Sequence, residues 1–473
     1  MPDEATTRWP GRARELLSLT LLALVFVCPP SVAQELRGSI EDQADLPVPV
    51  EQSALPQPSQ ADTSRIQPNA AAQPQQRTTR VQSIGTTSND QRGTDQDPFA
   101  PVGIRAGSFI LRPSVETGIL ATTNATSSPA GDDAIISQST LRLNAVSDWS
   151  VDQLELDAFV TLERSLSGEE LNQKEAGISV AATRELANDY QLRATAAYAV
   201  SPESFASPVE IAGAMNQPLQ QSLTGSLYLT REAGKLRLGI GADVDREWYG
   251  NAELANGSEI SQSDRDNTLT TARLRLGYEL SPALVPFAEL RAGRRIYDND
   301  FDAAGYRRSG DLIAANAGLA FDRGEKFWGE LALGYVQQEF DDDRLVPIDG
   351  MNVIANINWS PVRGTNVNFF GSTEVEGTTT PGLSGSLLHS GTLTIERQMR
   401  ANLTGSIAGG IAYRDFQPGS EHEVIYSAEA SVTWWINRYL GVTGRLRHEN
   451  VNSTLPDRDA STNSAFLGLK AQR

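Results

Sequence analysis

After Asp97-Pro98 the chain alternates apolar and polar residues and keeps doing so to its C-terminus. Leu154, Leu156, Ala158, Val160 and Leu162 share one face, and Glu155, Asp157, Thr161 and Glu163 the other. Leu236 to Val244, Leu274 to Tyr278, Val353 to Trp359 and Val442 to Leu446 repeat the pattern. A helical period would scatter the charges over the apolar stripe, whereas a period of two separates them. These segments are predicted strands. There are about eighteen, from 109–124 to 463–472, each roughly ten to seventeen residues, a length suited to tilted membrane strands rather than to soluble sheets.

The connections alternate as well. Asp148 to Val151, Ala187 to Asp189, Glu232 to Gly234, Ser281-Pro282, Asp322 to Glu325, Pro361 to Gly364, Met399 to Ala401 and Asn437-Arg438 are tight turns after every second strand. The intervening connections are mostly longer and polar, as in 126–133, 204–217, 251–265, 300–309, 341–349 and 454–462. One rim of short turns and one of long loops predicts an all-β fold: a transmembrane up-and-down antiparallel barrel of about eighteen strands, with sixteen as the alternative. Its short turns face the periplasm. Trp149, Trp328, Trp359, Trp434 and Tyr439 near the short-turn rim and Trp248 and Tyr297 near the other are the expected aromatic girdles. A closed barrel puts the polar face toward a lumen and the apolar face toward lipid.

What precedes the strands has another texture. Arg8, Arg12 and Arg14, an apolar run from Leu16 to Val27 and the small residues Ser31-Val32-Ala33 predict a signal peptide over 1–33. Residues 34–106 are rich in Gln, Pro, Ala and Thr, too apolar-poor to offset ordering entropy, and are expected to be a disordered periplasmic linker. The barrel is expected over 107–473. Of the formal charge of −19, about −16 then falls on the barrel, with clusters in the long loops. That acidity speaks against a nucleic-acid partner. One Cys, inside the expected signal peptide, and three His leave little for thiol or metal chemistry. The mean hydropathy of −0.33 is what lipid exposure of alternate residues produces.

The stretch from Asp97 through Val115 resembles the leading segment of a bacterial outer-membrane family called putative β-barrel porin 2, and Tyr297 to Arg308 resembles a loop of it. The resemblance runs from about Asp97 to Arg473 and implies the barrel fold but no particular solute. The chain departs from many outer-membrane barrels in ending on Arg473 rather than Phe.

Candidate chemistry is sparse. Asp298, Asp300 and Asp302 have the spacing that opens a calcium loop, but Gly305 comes late and no Glu closes it, so a solvated acidic loop is the default. His389-Ser390 lacks a nearby orienting acid. No catalytic residue, cofactor or enzyme activity is expected. By strand parity, Asp157, Arg237, Asp243, Arg273, Arg275, Glu289, Arg291, Glu330, Glu374, Glu429, Arg445 and Arg447 point inward as pore-lining candidates. They can form charge ladders across a pore or ion pairs that only stiffen the wall. Among the loops, 251–265 and 204–217 are the candidates to fold inward. The expectation is a porin-like outer-membrane channel for passive diffusion of small hydrophilic solutes, with outer-membrane lipid, lipopolysaccharide and the barrel-assembly machinery as partners. Surface polysaccharide export and a structural barrel tethered to periplasmic partners remain open, as does the oligomeric state.

Overall fold

The structure, a computed structural model, describes residues 98–129, 131–203, 214–216, 218–254, 258–378, 383–456 and 458–473. The expected signal peptide and the linker up to residue 97 lie outside the described residues.

Eighteen long strands follow one another. They are β1 (Phe109–Thr122), β2 (Ala134–Ser147), β3 (Gln153–Gly168), β4 (Asn172–Leu186), β5 (Tyr190–Pro202) and β6 (Leu219–Ala233). Next come β7 (Leu236–Tyr249), β8 (Asn267–Tyr278), β9 (Leu284–Tyr297), β10 (Gly310–Asp322), β11 (Phe327–Gln338) and β12 (Ile348–Trp359). The last are β13 (Thr365–Gly377), β14 (Gly385–Arg400), β15 (Leu403–Gln417), β16 (His422–Trp435), β17 (Leu440–Ser453) and β18 (Ala460–Gln472). Each pairs antiparallel with the next, and β1 pairs with β18 from Ser114↔Gln472 to Thr122↔Ser464, closing the ring. The fold class read from the alternation is the one observed.

Local chemistry explains the turns. Asn188 and Asp189 both take left-handed backbone (φ 62 and 60), which short polar side chains tolerate, and so join β4 to β5 in three residues. At the N-terminal end the structure differs from the expected linker boundary: Ile104–Ala106 is a short strand paired with Phe109–Leu111. Gly107 (φ 63) makes the two-residue turn between them. Pro98 and Phe99 are tied down too, their carbonyls accepting from Arg438 Nε (3.0 Å) and Gln472 Nε2 (2.8 Å).

Alternation sets what each face meets. On β10, Ile313 is 62% exposed while its neighbours Leu312 and Ala314 are buried. Exposed large apolar residues such as Leu290, Leu333, Ile407, Leu446 and Leu467 form an outer surface that in water would aggregate and in lipid is at home. The large buried residues of β10 lie on the inner side, as Leu312 shows. At the long-loop end buried residues form three apolar clusters: Leu120, Ile136 and Phe466 with loop residues Ala125 and Leu171; Leu388, Ala412, Ile425, Val451 and Ala460; and Leu312, Ala314, Val336, Ile348 and Leu387.

Buried Leu387 and partly buried Val375, which packs against the third cluster, break the parity rule. Phe369 and Leu393, partners across β13 and β14, are exposed on the outer face, and counting by twos along the same strands puts Val375 and Leu387 on that face. Yet Leu387 is buried and Val375 packs with it against inward-facing residues of β10, β11 and β12. The wall has folded through itself. Pairing between β12 and β13 runs only from Ala355↔Gly371 to Trp359↔Val367, and beyond Gly371 the β13–β14 hairpin swings to the inner side of β9–β12.

Candidate functional site

The inner wall of β7 to β11 carries an ion-paired group. Arg273 of β8 reaches Asp243 of β7 (3.2 Å), its guanidinium 4.6 Å from the Tyr228 ring centre. Arg275 lies between Glu289 (3.6 Å) and Glu330 (2.6 Å) and sits 3.4 Å from the Phe287 ring centre. Arg291 Nε donates to Glu289 Oε1 (3.0 Å). Asp243, Arg273 and Glu289 are buried, so each charge depends on its partner: burial of an unpaired ion costs several kcal/mol. Arg237, nearer the short-turn rim, pairs with Glu279 (3.3 Å) and Glu232 (3.4 Å).

The other pore-lining candidates stand apart from this group. Arg445 of β17 reaches Glu116 of β1 (3.5 Å) across the closing strands and donates to Gln138 (3.1 Å). Arg447 holds Glu449 (2.5 Å), and Asp157 accepts from Asn144 (2.9 Å). Glu429 is half-buried on β16, and Glu374 sits on the inturned hairpin. Between the two charged arcs, inward positions on β4 to β6 bear mostly hydroxyl and methyl groups, among them Ser179, Thr183, Thr195, Ser222, Thr224 and Ser226.

The aromatic candidates divide. Trp149, Trp359, Trp434 and Tyr439 are exposed at the short-turn rim. Trp248 lies on the outer face at the opposite end, its ring centre 5.0 Å from the Arg246 guanidinium. Tyr297 and Trp328 do not join them. Tyr297 has the parity of inward Arg295, is buried, and its hydroxyl abuts Gly377 of the hairpin. Trp328 has the parity of inward Glu330, and it is the adjacent Phe327 that turns out, stacked on Phe321 (ring centres 4.6 Å apart). A strand-end position fixes an aromatic's depth, whereas parity fixes its side.

The three aspartates of the long β9–β10 connection diverge. Asp298 takes both Arg246 nitrogens (2.6 and 2.5 Å). Buried Asp302 accepts the Ala304 and Tyr306 amides (2.9 Å each) and Arg308 Nε (2.6 Å). The oxygens of Asp298 and Asp302 hold these groups, Asp300 is exposed, and among the described residues no three His, Cys, Asp or Glu groups converge on a point. His389 and Ser390, adjacent on β14, point to opposite faces, where His389 Nδ1 meets Thr373 Oγ1 (2.9 Å) and Ser390 Oγ meets Ser372 Oγ (3.0 Å). A nucleophile and its base must share a face.

Sequence reasoning missed the hairpin's grip. Arg295 of β9 donates to the Val375 carbonyl (3.1 Å), and Arg308 donates to the Leu383 carbonyl (3.0 Å). On the opposite side Glu376 receives Ser386 Oγ (2.8 Å) and Arg414 Nε (2.7 Å). Arg414 also pairs with Glu423, which holds Arg458 (3.0 Å). Arg414 and Glu423 are fully buried. The slot left in the wall is bridged by side chains: Thr373 Oγ1 accepts the Val353 amide (3.0 Å), and the Gln417 amide imitates a ladder pair with Asp349 N (3.1 Å) and O (3.0 Å).

Residues 97–473, the barrel and its tied-down leading segment, match the family described as Putative beta-barrel porin 2. The chain belongs to this porin-like family. It is an outer-membrane β-barrel protein. No curated protein matches it in sequence. Among solved structures it is similar to the copper transporter OprC (9% identity over 78% of this chain and 81% of that one, TM-score 0.40). It is also similar to the outer membrane protein OpdK of Pseudomonas aeruginosa (12% identity, 77% and 99% covered, TM-score 0.37). A third is OccAB4 of Acinetobacter baumannii (13% identity, 77% and 98% covered, TM-score 0.38).

Proposed function

We propose that this member of the porin-like family is a passive channel of the outer membrane that lets small hydrophilic solutes diffuse down their gradients. The observation that carries the reading is the split of the wall into an exposed apolar outer face and an inner face of charges, amides and hydroxyls. A ring of eighteen strands is wide enough for a water-filled path, and a polar inner face is what such a path needs. The ion pairs Arg273/Asp243 and Arg275/Glu289/Glu330 line one flank of the path and Asp157, Glu429, Arg445 and Arg447 the other, with the hydroxyl-bearing strip of β4 to β6 between them. Because the pairs are neutralised within the wall, they give the path polarity without a strong net field.

The test is reconstitution of the purified, heat-modifiable protein in a planar bilayer. Discrete conductance steps that saturate with no energy source are expected. Folded protein that never conducts overturns the reading while leaving the fold intact.

A further inference from the structure

Beyond the level at which Gly371 faces Gly391, the β13–β14 hairpin turns Val375 and Leu387 to one side and Glu374, Glu376 and Leu388 to the other, Leu388 lying in the buried cluster with Ala412, Ile425, Val451 and Ala460. Its wall side, Val375 and Leu387, is seated on the inward-facing Leu312, Ala314, Val336 and Ile348. Its other side, through Glu376, reaches the chain of buried charges that runs by Arg414 and Glu423 to Arg458. Backbone carbonyls at Val375 and Leu383 are held by Arg295 and Arg308 from the β9–β10 side. The hairpin is therefore fastened on both sides, to the β9–β12 arc and to the β15–β18 arc.

We infer that this hairpin is the constriction of the channel and that the residues on its inner side, Glu374 in particular, determine the largest solute that passes. The inference rests on the channel reading above and adds the element that sets its selectivity. Two strand ends lying inside the ring remove the area they cover from the lumen's cross-section. The buried ion chain and the apolar seat make the displacement a fixed part of the fold, since a loosely held segment would leave such charges wetted. Glu374 has inner-face parity midway along the inturned part of β13, and it stays half-buried while its neighbour on that face, Glu376, is buried. It is the pore-lining candidate that the hairpin itself carries.

Two variants test this. In the first, residues 372–390 are deleted and Gly371 is joined to Gly391 by Asn-Gly, a turn that suits a two-residue hairpin. The expected result is a severalfold rise in single-channel conductance and, in liposome swelling, admission of larger sugars than the parent admits. An unchanged conductance and size limit overturns the inference and leaves the channel reading standing. If the parent is silent and the trimmed barrel conducts, the hairpin is still the constriction, closed to the point of a plug. If both fold and both are silent, the inference and the channel reading fall together. The second variant, Glu374→Cys, keeps the hairpin in place and decides the matter even if the trimmed barrel does not fold. The only native Cys is Cys28, within the expected signal peptide, so a cationic thiol reagent has one target in the barrel. It is expected to lower the current through Glu374→Cys and leave that through lipid-facing Leu393→Cys unchanged; equal indifference at both positions overturns the inference.

Discussion

Arg414 shows how much of this barrel depends on single buried charges. It is fully buried between Glu376 and Glu423, so its removal leaves the buried Glu376 without its cation and Glu423 with Arg458 alone. Arg414→Met is expected to destabilise the folded barrel by about 3–5 kcal/mol, the usual cost of leaving a buried ion without its partner. A clearly lower temperature for the gel-mobility shift on unfolding is the readout, and an unchanged temperature refutes it. Asp342, in the β11–β12 loop, is held well below the ordinary carboxylate range by hydrogen bonds from the Arg344 guanidinium and then from the Arg307 amide. A depressed carboxylate stabilises the folded form above its unfolded pKa of about 4, and the contribution is lost as pH falls through the folded value. Protease resistance of this loop is therefore expected to be flat from neutral pH down to about pH 4 and to fail only in stronger acid. Asp342→Asn is expected to be cut more readily already at neutral pH. Residues of this kind are hard to find in a sequence, because Glu376, Arg414, Glu423 and Arg458 come from separate strands and loops.

At the scale of the element, strands were legible and their neighbours were not. The first strand, expected over 109–124, is Phe109–Thr122, and the last, expected over 463–472, is Ala460–Gln472; β13 and β14 have the expected length too. What could not be read is that their last turns of pleat lie inside the ring. Alternation reports which residues are apolar, and Val375 and Leu387 look the same whether that face meets lipid or the inner side of β10–β12. The traces are faint: on the outward-parity face Gly371, Thr373, Gly391 and His389 replace the large apolar residues found elsewhere. Parity assigned most of the charged residues to the wall's inner side, but loop length gave no sign that the strands flanking the β13–β14 connection turn in; of the two loops singled out, 204–213, 217 and 255–257 lie outside the described residues. The Gln417 bridge to Asp349 belongs to this scale. Gln417→Leu is expected to cost about 1 kcal/mol, the net worth of a typical hydrogen bond, and to speed amide exchange at Ile348–Gly350 severalfold while β9 and β10 exchange as before. Mass-spectrometric exchange of folded protein in lipid nanodiscs measures both, and unchanged protection at Ile348–Gly350 contradicts the bridge.

For the whole molecule, inside and outside are measurable properties. A nitroxide on Ile313→Cys is expected to collide with oxygen as a lipid-facing site does, severalfold more often than with a water-soluble relaxer. The same label on Val375→Cys is expected to be shielded from both, although the two residues share outward parity. Matching oxygen accessibility at the two positions would contradict the inturned hairpin. The closing strands have a mechanical consequence of their own. Residues 98 and 99 are fastened by Gln472 and Arg438 to the β16–β17 turn and the end of β18, beside the β1–β18 seam. Tension drawn along the chain from its N-terminal side is shared with the neighbouring strands at the rim before it reaches Phe109. The ladder of β1 is then loaded in shear, many hydrogen bonds at once, rather than unzipped one pair at a time, so the ring can bear a pull that would peel open a barrel whose first strand hung free.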